Sequence, residues 1–198
     1  MRSQLTLFLD PLIGLYILTF ALRLGMQWVR ADFRNPIVQF VLKVTNPLVM
    51  PFRQFIPPFR KLDTATLIVY VLLCFATMGI LLSLECFLMP DILTVFALAI
   101  LYGLRLLLNT YTFIIIGYVV LSWIGQGGYN PSLMMVSSLL KSLAQPVLTP
   151  VQRVIPPIGG LDLSPIFVLI TLPALAQMLL KQGYRIAEGY NCGLNTIL

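Results

Sequence analysis

Residues 64–84 read TATLIVYVLLCFATMGILLSL and contain no charged side chain. A helix of about 20 apolar residues is long enough to cross the hydrocarbon core of a bilayer. The rest of the 198-residue chain has the same character, because 59% of it is hydrophobic and only 10% is charged. Soluble domains carry roughly 25% charged residues. The sequence therefore predicts an all-α integral membrane protein.

Further apolar stretches predict membrane spans at Phe8 to Val29, Leu106 to Trp123 and Leu163 to Leu180, so that the chain has about four in total. The first is interpreted as a permanent helix, because Arg23 interrupts it and no small-residue cleavage site follows. A fifth stretch, Ile92 to Leu104, is too short for a separate span. It is assigned to an interfacial or re-entrant connector, with an extension of the third helix as the alternative.

The chain also contains an internal repeat. Trp28 and Asn35-Pro36 recur 95 residues later as Trp123 and Asn130-Pro131. The spacing grows to 99 residues for a second set, in which Pro47, Pro51, Pro57, Pro58 and Asp63 correspond to Pro146, Pro150, Pro156, Pro157 and Asp162. Because the four added residues are about one helical turn, the segment between the markers is predicted to be helical in both copies.

Two tandem repeats follow, at residues 1–90 and 103–198, joined by a connecting segment at 91–102. Each repeat is predicted to contain a membrane helix, an interfacial amphipathic helix, a turn with proline and arginine, and a second membrane helix. Asp63 and Asp162 are the expected N-caps of the second membrane helices, with Ser164-Pro165 as a competing start. The apolar faces of the amphipathic helices are assigned to Ile37, Phe40, Val41 and Val44, and to Leu133, Val136, Leu140 and Leu143.

Positive charge marks the cytoplasmic side of a membrane protein. The two internal loops carry most of the basic residues, namely Arg30, Arg34, Lys43, Arg53, Arg60, Lys61, Lys141 and Arg153. Both termini are therefore predicted to face away from the cytoplasm. The net charge of +6 is spread thinly between apolar runs, so the expected partners are the bilayer and its anionic headgroups, and not nucleic acid.

Ordinary enzyme chemistry finds little support in this sequence. There is no histidine, which removes His-ligated metal sites and His-based acid–base catalysis, and no nucleophile stands beside an evident base. We predict neither an enzyme nor a cofactor or metal. Cys86 and Cys192 share the predicted outer side, where a disulfide can form, and whether they pair stays open. Cys74 lies within a span and is expected to pack there.

The second copy carries a specific motif, PVLTPVQRVIPPIGGLDLSP at residues 146–165, preceded by Trp123 to Gln126 and Asn130-Pro131. It resembles the YggT family, also called YlmG, and the likeness covers essentially the whole chain as two tandem copies. The resemblance implies a small protein of the bacterial inner membrane. Its plastid relatives are implicated in cofactor assembly on a membrane cytochrome and in nucleoid distribution, and Gram-positive relatives are encoded near division genes. The first copy departs from the motif at residues 59–61, so the second turn is the better binding candidate.

Two groups of candidate functional residues emerge. Docking of a partner or of headgroups is assigned to the two turns and the helix starts after them, although these turns also serve simply to join a flat helix to an upright one. Charges within spans are candidates because burying them in hydrocarbon is costly, and Asp10 is expected to pair with Arg105, with Glu85 as a rival partner. The docking set is Arg53, Pro57, Pro58, Asp63, Arg153, Pro156, Pro157, Asp162 and Ser164; the intramembrane charges are Asp10, Arg23, Glu85 and Arg105.

Structural roles are expected for two further features. Arg23 is interpreted as a snorkelling side chain near the cytoplasmic end of the first span, since its repeat equivalent is Tyr118. Trp28 and Trp123 are expected to be interfacial anchors. The predicted function is that of a non-enzymatic scaffold or assembly factor for a membrane complex, acting with an unidentified membrane protein or as a homo-oligomer. An oligomeric channel or ion-homeostasis component linked to osmotic stress is the alternative.

Overall fold

The computed structural model describes residues 2–57, 63–86, 88, 90–124, 131–155 and 162–190, with only the backbone described at 2–10, 85, 131 and 132. Within these ranges the chain is helical. Its elements are α1 Arg2–Trp28, α2 Pro36–Arg53, α3 Thr64–Glu85, α4 Ile92–Ile124, α5 Pro131–Val154, α6 Ser164–Ala187 and a 3-10 turn at Glu188–Tyr190. The prediction of an all-α fold is confirmed.

Three helices in the described part of the chain are long and apolar enough to cross a membrane. They are Thr64–Leu84 in α3, the whole of α4, and Ser164–Tyr190, which joins α6 to the 3-10 turn. The 27-residue α1 is not among them, and Arg23 and Gln27 interrupt its C-terminal half. A membrane protein is therefore indicated by three helices, and a fourth span has to be argued separately.

The segment from Ile92 to Leu104 is not a connector. It forms the first part of α4, which continues without a break over 33 residues to Ile124. The preferred sequence interpretation was wrong here, and the alternative, an extension of the third helix, is what the structure has. The cause is packing: Val95, Leu98, Ala99 and Tyr102 are all buried in a cluster with α1 and α3.

The turns with proline and arginine were predicted to begin at Pro51 and Pro150, but the helices before them continue past these residues. Pro47 and Pro51 lie inside α2, and Pro146 and Pro150 lie inside α5, so Arg53 and Arg153 belong to the last turns of these helices. Proline removes one backbone donor but fixes φ near the helical value, which lets a helix continue through it when packing supports both sides. The prediction that the segment between the markers is helical is confirmed.

The faces of α2 and α5 are packed differently from the prediction. In α2 the buried side chains are Val38, Val41, Thr45 and Val49, whereas Phe40 is 63% exposed. In α5 the predicted face is closer to the structure, since Leu143 is buried and Lys141 is exposed. The buried face of α2 thus includes a polar side chain, Thr45, which accepts a hydrogen bond from the buried Arg23.

Helices α1, α3 and α4 pack against one another. Gly14 and Gly25 of α1 pack beside the hydroxyls of Tyr102 and Tyr111, so α1 runs parallel to α4. Helix α3 runs antiparallel to α4, because Tyr70 donates a hydrogen bond to the carbonyl of Gly103 at 2.6 Å and Phe75 stacks on Phe96. The ends of α1 and α4 thus lie on the same side as the start of α3.

A second apolar cluster joins the two halves of the chain. It combines Val38 and Val41 of α2 with Ile115 of α4 and Leu143 of α5. The amide of Asn35, the N-cap of α2, donates from Nδ2 to the carbonyl of Met135 at 3.0 Å, while its Oδ1 accepts from the Ile37 amide. The α2 and α5 helices are therefore tied to each other as well as to the bundle.

The close approach of α3 and α4 gives a first testable prediction. A methyl group on Gly103 would lie 3.2 Å from Sγ of Cys74 and 3.3 Å from Cε1 of Tyr70. Gly103→Val is expected to lower the free energy of unfolding by about 1–3 kcal/mol, since neither buried neighbour can move away freely. Reversible unfolding in mixed micelles measures this. Gly79→Val is the matched control, because nothing lies within 4 Å of that position, and equal losses in both variants would contradict the prediction.

Candidate functional site

The most unusual group in the described structure is the guanidinium of Arg23, which is only 1% exposed. Its Nη1 donates to Oγ1 of Thr45 at 2.6 Å and to Oδ1 of Asn46 at 2.8 Å. The hydroxyl of Thr45 in turn donates to the carbonyl of Val41, so that its lone pair is left for Arg23. The expectation that Arg23 snorkels is wrong, because its guanidinium is buried against polar partners that α2 supplies at this end of the bundle.

Asp63 is the negative counterpart of this cation. Its Oδ2 lies 3.8 Å from Nη2 of Arg23 and also accepts hydrogen bonds from Arg53, from Gln27 at 3.1 Å and from Thr66 at 2.9 Å. The residue occupies the N-cap position of α3 but makes no side-chain bond to an amide of the first turn. The predicted capping role of Asp63 is therefore wrong. Its carboxylate instead contacts side chains from α1, α2 and α3.

The arrangement depends on the helix geometry of each contributor. Arg23 and Gln27 are four residues apart and share one face of α1. Asn46 and Arg53 reach the same point from α2, and Asp63 is fixed by the start of α3. The cluster therefore requires α1, α2 and α3 to be docked together, and each of its charges lies at the end of the bundle where α1 ends.

Electrostatics keep the Asp63 carboxyl ionised. Burial by itself raises the pKa of this group, but hydrogen bonds from Arg53 and Thr66 and the charges of Arg53 and Arg23 outweigh burial. The net result is a pKa below the usual value for aspartate. Two cations thus share one buried carboxylate, and the cluster carries a net positive charge.

This lowered pKa predicts loss of stability in acid. The folded carboxyl has a lower pKa than an unfolded one, whose value is about 3.9, so the carboxylate stabilises the fold above that pH. The contribution disappears as the pH falls through the folded pKa. We expect the stability difference between wild type and Asp63→Asn, followed by thermal unfolding in detergent, to be largest near neutrality and to shrink below about pH 4. A difference that does not change with pH would contradict this assignment.

The second half of the chain has a related but weaker arrangement. Nε2 of Gln152 donates to Oδ2 of Asp162 at 2.8 Å, and these residues stand 99 positions after Arg53 and Asp63. Asp162 also accepts the Ser164 amide at 2.9 Å, in the manner of a cap, and α6 begins at Ser164. The competing start was therefore the right one. Burial again raises the pKa of Asp162. The hydrogen bonds from Ser164 and Gln152 outweigh this effect, so that the pKa lies below its usual value.

The polar groups around Arg23 are specific to the first half. The positions that correspond to Arg23, Gln27, Thr45 and Thr66 in the second half are Tyr118, Ser122, Ala144 and Pro165. Arg153, which belongs with Arg53 to the predicted docking set, is exposed and lies one residue after Gln152, the repeat equivalent of Arg53. The repeat comparison could have revealed this register, since 99 residues after Arg53 stands Gln152.

A cavity of about 590 Å³ opens beside the charge cluster. Its polar lining includes Arg23, Gln27, Arg30, Arg53 and Asp63. Its apolar lining comes from α1, α2 and the link between them: Met26, Ala31, Phe33, Val38, Val41, Leu42 and Met50. Within the described residues no group of three or more metal-binding side chains is present. The site can accept a ligand that is both anionic and partly apolar.

The remaining candidates are distributed over the fold. Pro57 is exposed, and its carbonyl accepts from the Thr64 hydroxyl at 2.6 Å, whereas Ser164 is fully buried and cannot contact a partner directly. Trp28 and Trp123 stand at the ends of α1 and α4 with exposures of 50% and 72%. Pro58, Pro156, Pro157 and the departing residues 59–61 lie outside the described residues.

Two predicted pairings fall partly outside what the structure describes. The side chains of Asp10 and Glu85 are not among the described ones, so the pairing of Arg105 with either stays a prediction; Arg105 itself is half-buried on α4. Cys86 is disulfide-bonded and Cys74 is a buried free thiol, as expected for the latter. Cys192, the suggested partner of Cys86, is not a described residue.

Three described helices that are long and apolar enough to span a bilayer place the chain in the class of all-α membrane proteins. The chain matches the CCB3/YggT family over residues 3–84 and 97–183, one segment in each half, and it belongs to that family. No solved structure matches it.

The relatives extend over nearly the whole chain. The uncharacterised YggT protein of Escherichia coli is 36% identical over 195 residues, which cover 94% of this chain and 97% of that protein. An uncharacterised protein of Pseudomonas aeruginosa is 35% identical over 180 residues, 87% and 86% of the two chains. Their names indicate no enzymatic activity.

Proposed function

We propose that this protein is a non-enzymatic scaffold or assembly factor of the bacterial inner membrane. The observation that carries the proposal is the bond from Asn35 to Met135, which joins the start of α2 to α5 beside an apolar cluster that α2, α4 and α5 share. Large apolar side chains nevertheless stay uncovered at the C-terminal ends of these two helices, with Phe55 85% and Val154 80% exposed. A partner protein or the membrane interface is the natural covering for them.

The proposal includes four spans in two tandem repeats. Helix α1 is the fourth span: it runs parallel to α4, as expected of corresponding helices in two copies with the same orientation. The corresponding bonds from Arg53 to Asp63 and from Gln152 to Asp162 also support the repeat. Both termini then face outward, and the basic ends of α2 and α5 face the cytoplasm.

Topology can be measured with single cysteines in a variant that lacks the natural ones. Cysteine at Arg34 or Arg153 is expected to be blocked only by reagents that cross the inner membrane, and cysteine at Glu188 by impermeant reagents added from outside. Labelling of all three positions from the same side would contradict the assignment of four spans. Labelling of each from the opposite side would reverse the orientation.

The scaffold role can be tested by photo-crosslinking in native membranes. A photoreactive residue at Phe55 or Val154 is expected to capture a defined partner protein, because these side chains are exposed at the ends of α2 and α5. The same residue at Phe113, which is 67% exposed in the middle of α4, is the control and should react with lipid. Capture of the same proteins at Phe113 as at Phe55, or of none at any position, contradicts a scaffold.

An oligomeric channel is the second candidate. The buried guanidinium of Arg23 beside a cavity is the observation in its favour, since charges inside membrane helices often mark ion pathways. Ion flux through liposomes that contain the purified protein, and its loss in Arg23→Gln, would support a channel. Liposomes that leak no more than empty ones count against it.

A further inference from the structure

Three arginines surround the cavity beside the charge cluster. Arg23 is buried, whereas Arg30 and Arg53 are exposed, so the lining runs from the surface to the buried guanidinium. Asp63 is the only acidic residue among the described lining residues, and Arg53 and Arg23 already neutralise it. The cavity is therefore electropositive and suited to a negatively charged group.

Polar atoms in the lining still lack partners. Among the described residues, Nε of Arg23, Oε1 of Gln27 and Oδ1 of Asp63 are buried without a hydrogen bond. Buried polar groups in native folds are nearly always paired, so this set calls for a ligand that both accepts and donates. An arginine Nε donates to a phosphate oxygen, while the amide and carboxylate oxygens accept from hydroxyl groups.

The backbone at Arg30 adds an independent observation. This residue has φ of 53° and is the described non-glycine residue with a left-handed conformation. Such a conformation is strained for a residue with a side chain, and strained residues of this kind often stand at binding sites. Here the strained residue is one that lines the cavity with a cationic side chain.

Part of the cavity lining, here called the apolar wall, consists of side chains without charge: Met26, Val38, Val41, Leu42 and Met50. A free inorganic anion would leave the apolar wall exposed to water. The glycerol backbone and first acyl carbons of a lipid cover it. The cavity also lies at the end of the bundle where the basic residues are, which is headgroup level for the proposed orientation.

We propose that this cavity binds one phospholipid with an anionic, hydroxyl-bearing headgroup, of the phosphatidylglycerol kind. The phosphate lies among Arg23, Arg30 and Arg53, the headgroup hydroxyls donate to Gln27 and Asp63, and the glycerol backbone covers the apolar wall. The binding site belongs to the first half of the chain, because the second half lacks the equivalents of Arg23 and Gln27.

Native mass spectrometry of the full-length, delipidated protein in detergent tests this directly. Titration with phosphatidylglycerol is expected to show one tight site, and phosphatidylcholine, which lacks both net charge and hydroxyl donors, binds about tenfold more weakly. Arg30→Gln removes one phosphate contact from an exposed position without touching the Arg23–Asp63 pair. It is expected to weaken phosphatidylglycerol binding about fivefold.

Arg34→Gln is the matched control, because Arg34 is an exposed arginine of the same link and does not line the cavity. Its binding should equal that of wild type. Equal losses in the two variants, or equal binding of phosphatidylcholine, would overturn the proposal. Inorganic phosphate at millimolar concentration is the third arm: displacement of the lipid by phosphate alone would show a free-anion site, and overturn the assignment to a lipid.

Discussion

Asp63→Ala is expected to lower the free energy of unfolding by about 3–5 kcal/mol, which is the usual cost of leaving a buried charge without its partner. Arg23 is 1% exposed and has no second carboxylate near it among the described residues. Gln27 and Thr66 lose their acceptor at the same time. Reversible unfolding in mixed micelles, at neutral pH, gives the loss directly.

Asp162→Ala is the control for this prediction. Asp162 is the repeat equivalent of Asp63, but it is exposed and its partner Gln152 is uncharged, so its removal should cost about 1 kcal/mol or less. If the two alanine variants are equally stable, the buried ion pair does not dominate the stability of this end of the bundle. The scaffold proposal does not depend on that outcome.

Arg23→Ala is expected to lower the free energy of unfolding by about 2–4 kcal/mol, through the cavity left by a large buried side chain and through a lost hydrogen-bond network. Asn46 loses its donor, whereas Asp63 retains Arg53, Gln27 and Thr66. The loss should therefore be somewhat smaller than that of Asp63→Ala. The same unfolding assay measures it.

The double variant with both substitutions separates charge from packing. Once Arg23 is absent, removal of Asp63 no longer leaves a buried cation, so the double variant should lose at least about 1 kcal/mol less than the sum of the single losses. Arg30→Ala is the control, since it removes an exposed arginine and should change stability by no more than about 0.5 kcal/mol. Strict additivity of Arg23→Ala and Asp63→Ala would show that the two residues do not interact.

The charge cluster explains how so apolar a chain can hold an arginine inside the fold. The cost of burial is offset because three helices each contribute a polar group, and the carboxylate is shared by two cations. Arg53, at 47% exposure, is the outer of the two and remains partly hydrated. Among the described residues, the cluster also holds buried polar atoms without a hydrogen bond, on side chains that line the neighbouring cavity.

The sequence by itself determined the membrane character, the helices and the family. In lipid, the backbone hydrogen-bonding groups of an apolar run such as residues 64–84 are satisfied by a helix. This requirement depends only on the run itself. The marker prolines and their 95- and 99-residue spacings can also be read directly from the sequence. They predict the helices between the markers and the correspondence of Asp63 to Asp162 without a structure. The resemblance carried by residues 146–165 led to the right family.

Only the tertiary structure decided which polar residues matter. Whether Arg23 points to the headgroups or into the fold depends on whether Thr45 and Asn46, more than twenty residues away, lie within reach of it. The extent of α4 was equally non-local, because Ile92 to Tyr102 is apolar enough for either a connector or a helix, and packing on α1 and α3 selects the helix. Side-chain partners brought together by folding leave no periodic pattern in the sequence, which is why the charge cluster and its cavity emerged only from the fold.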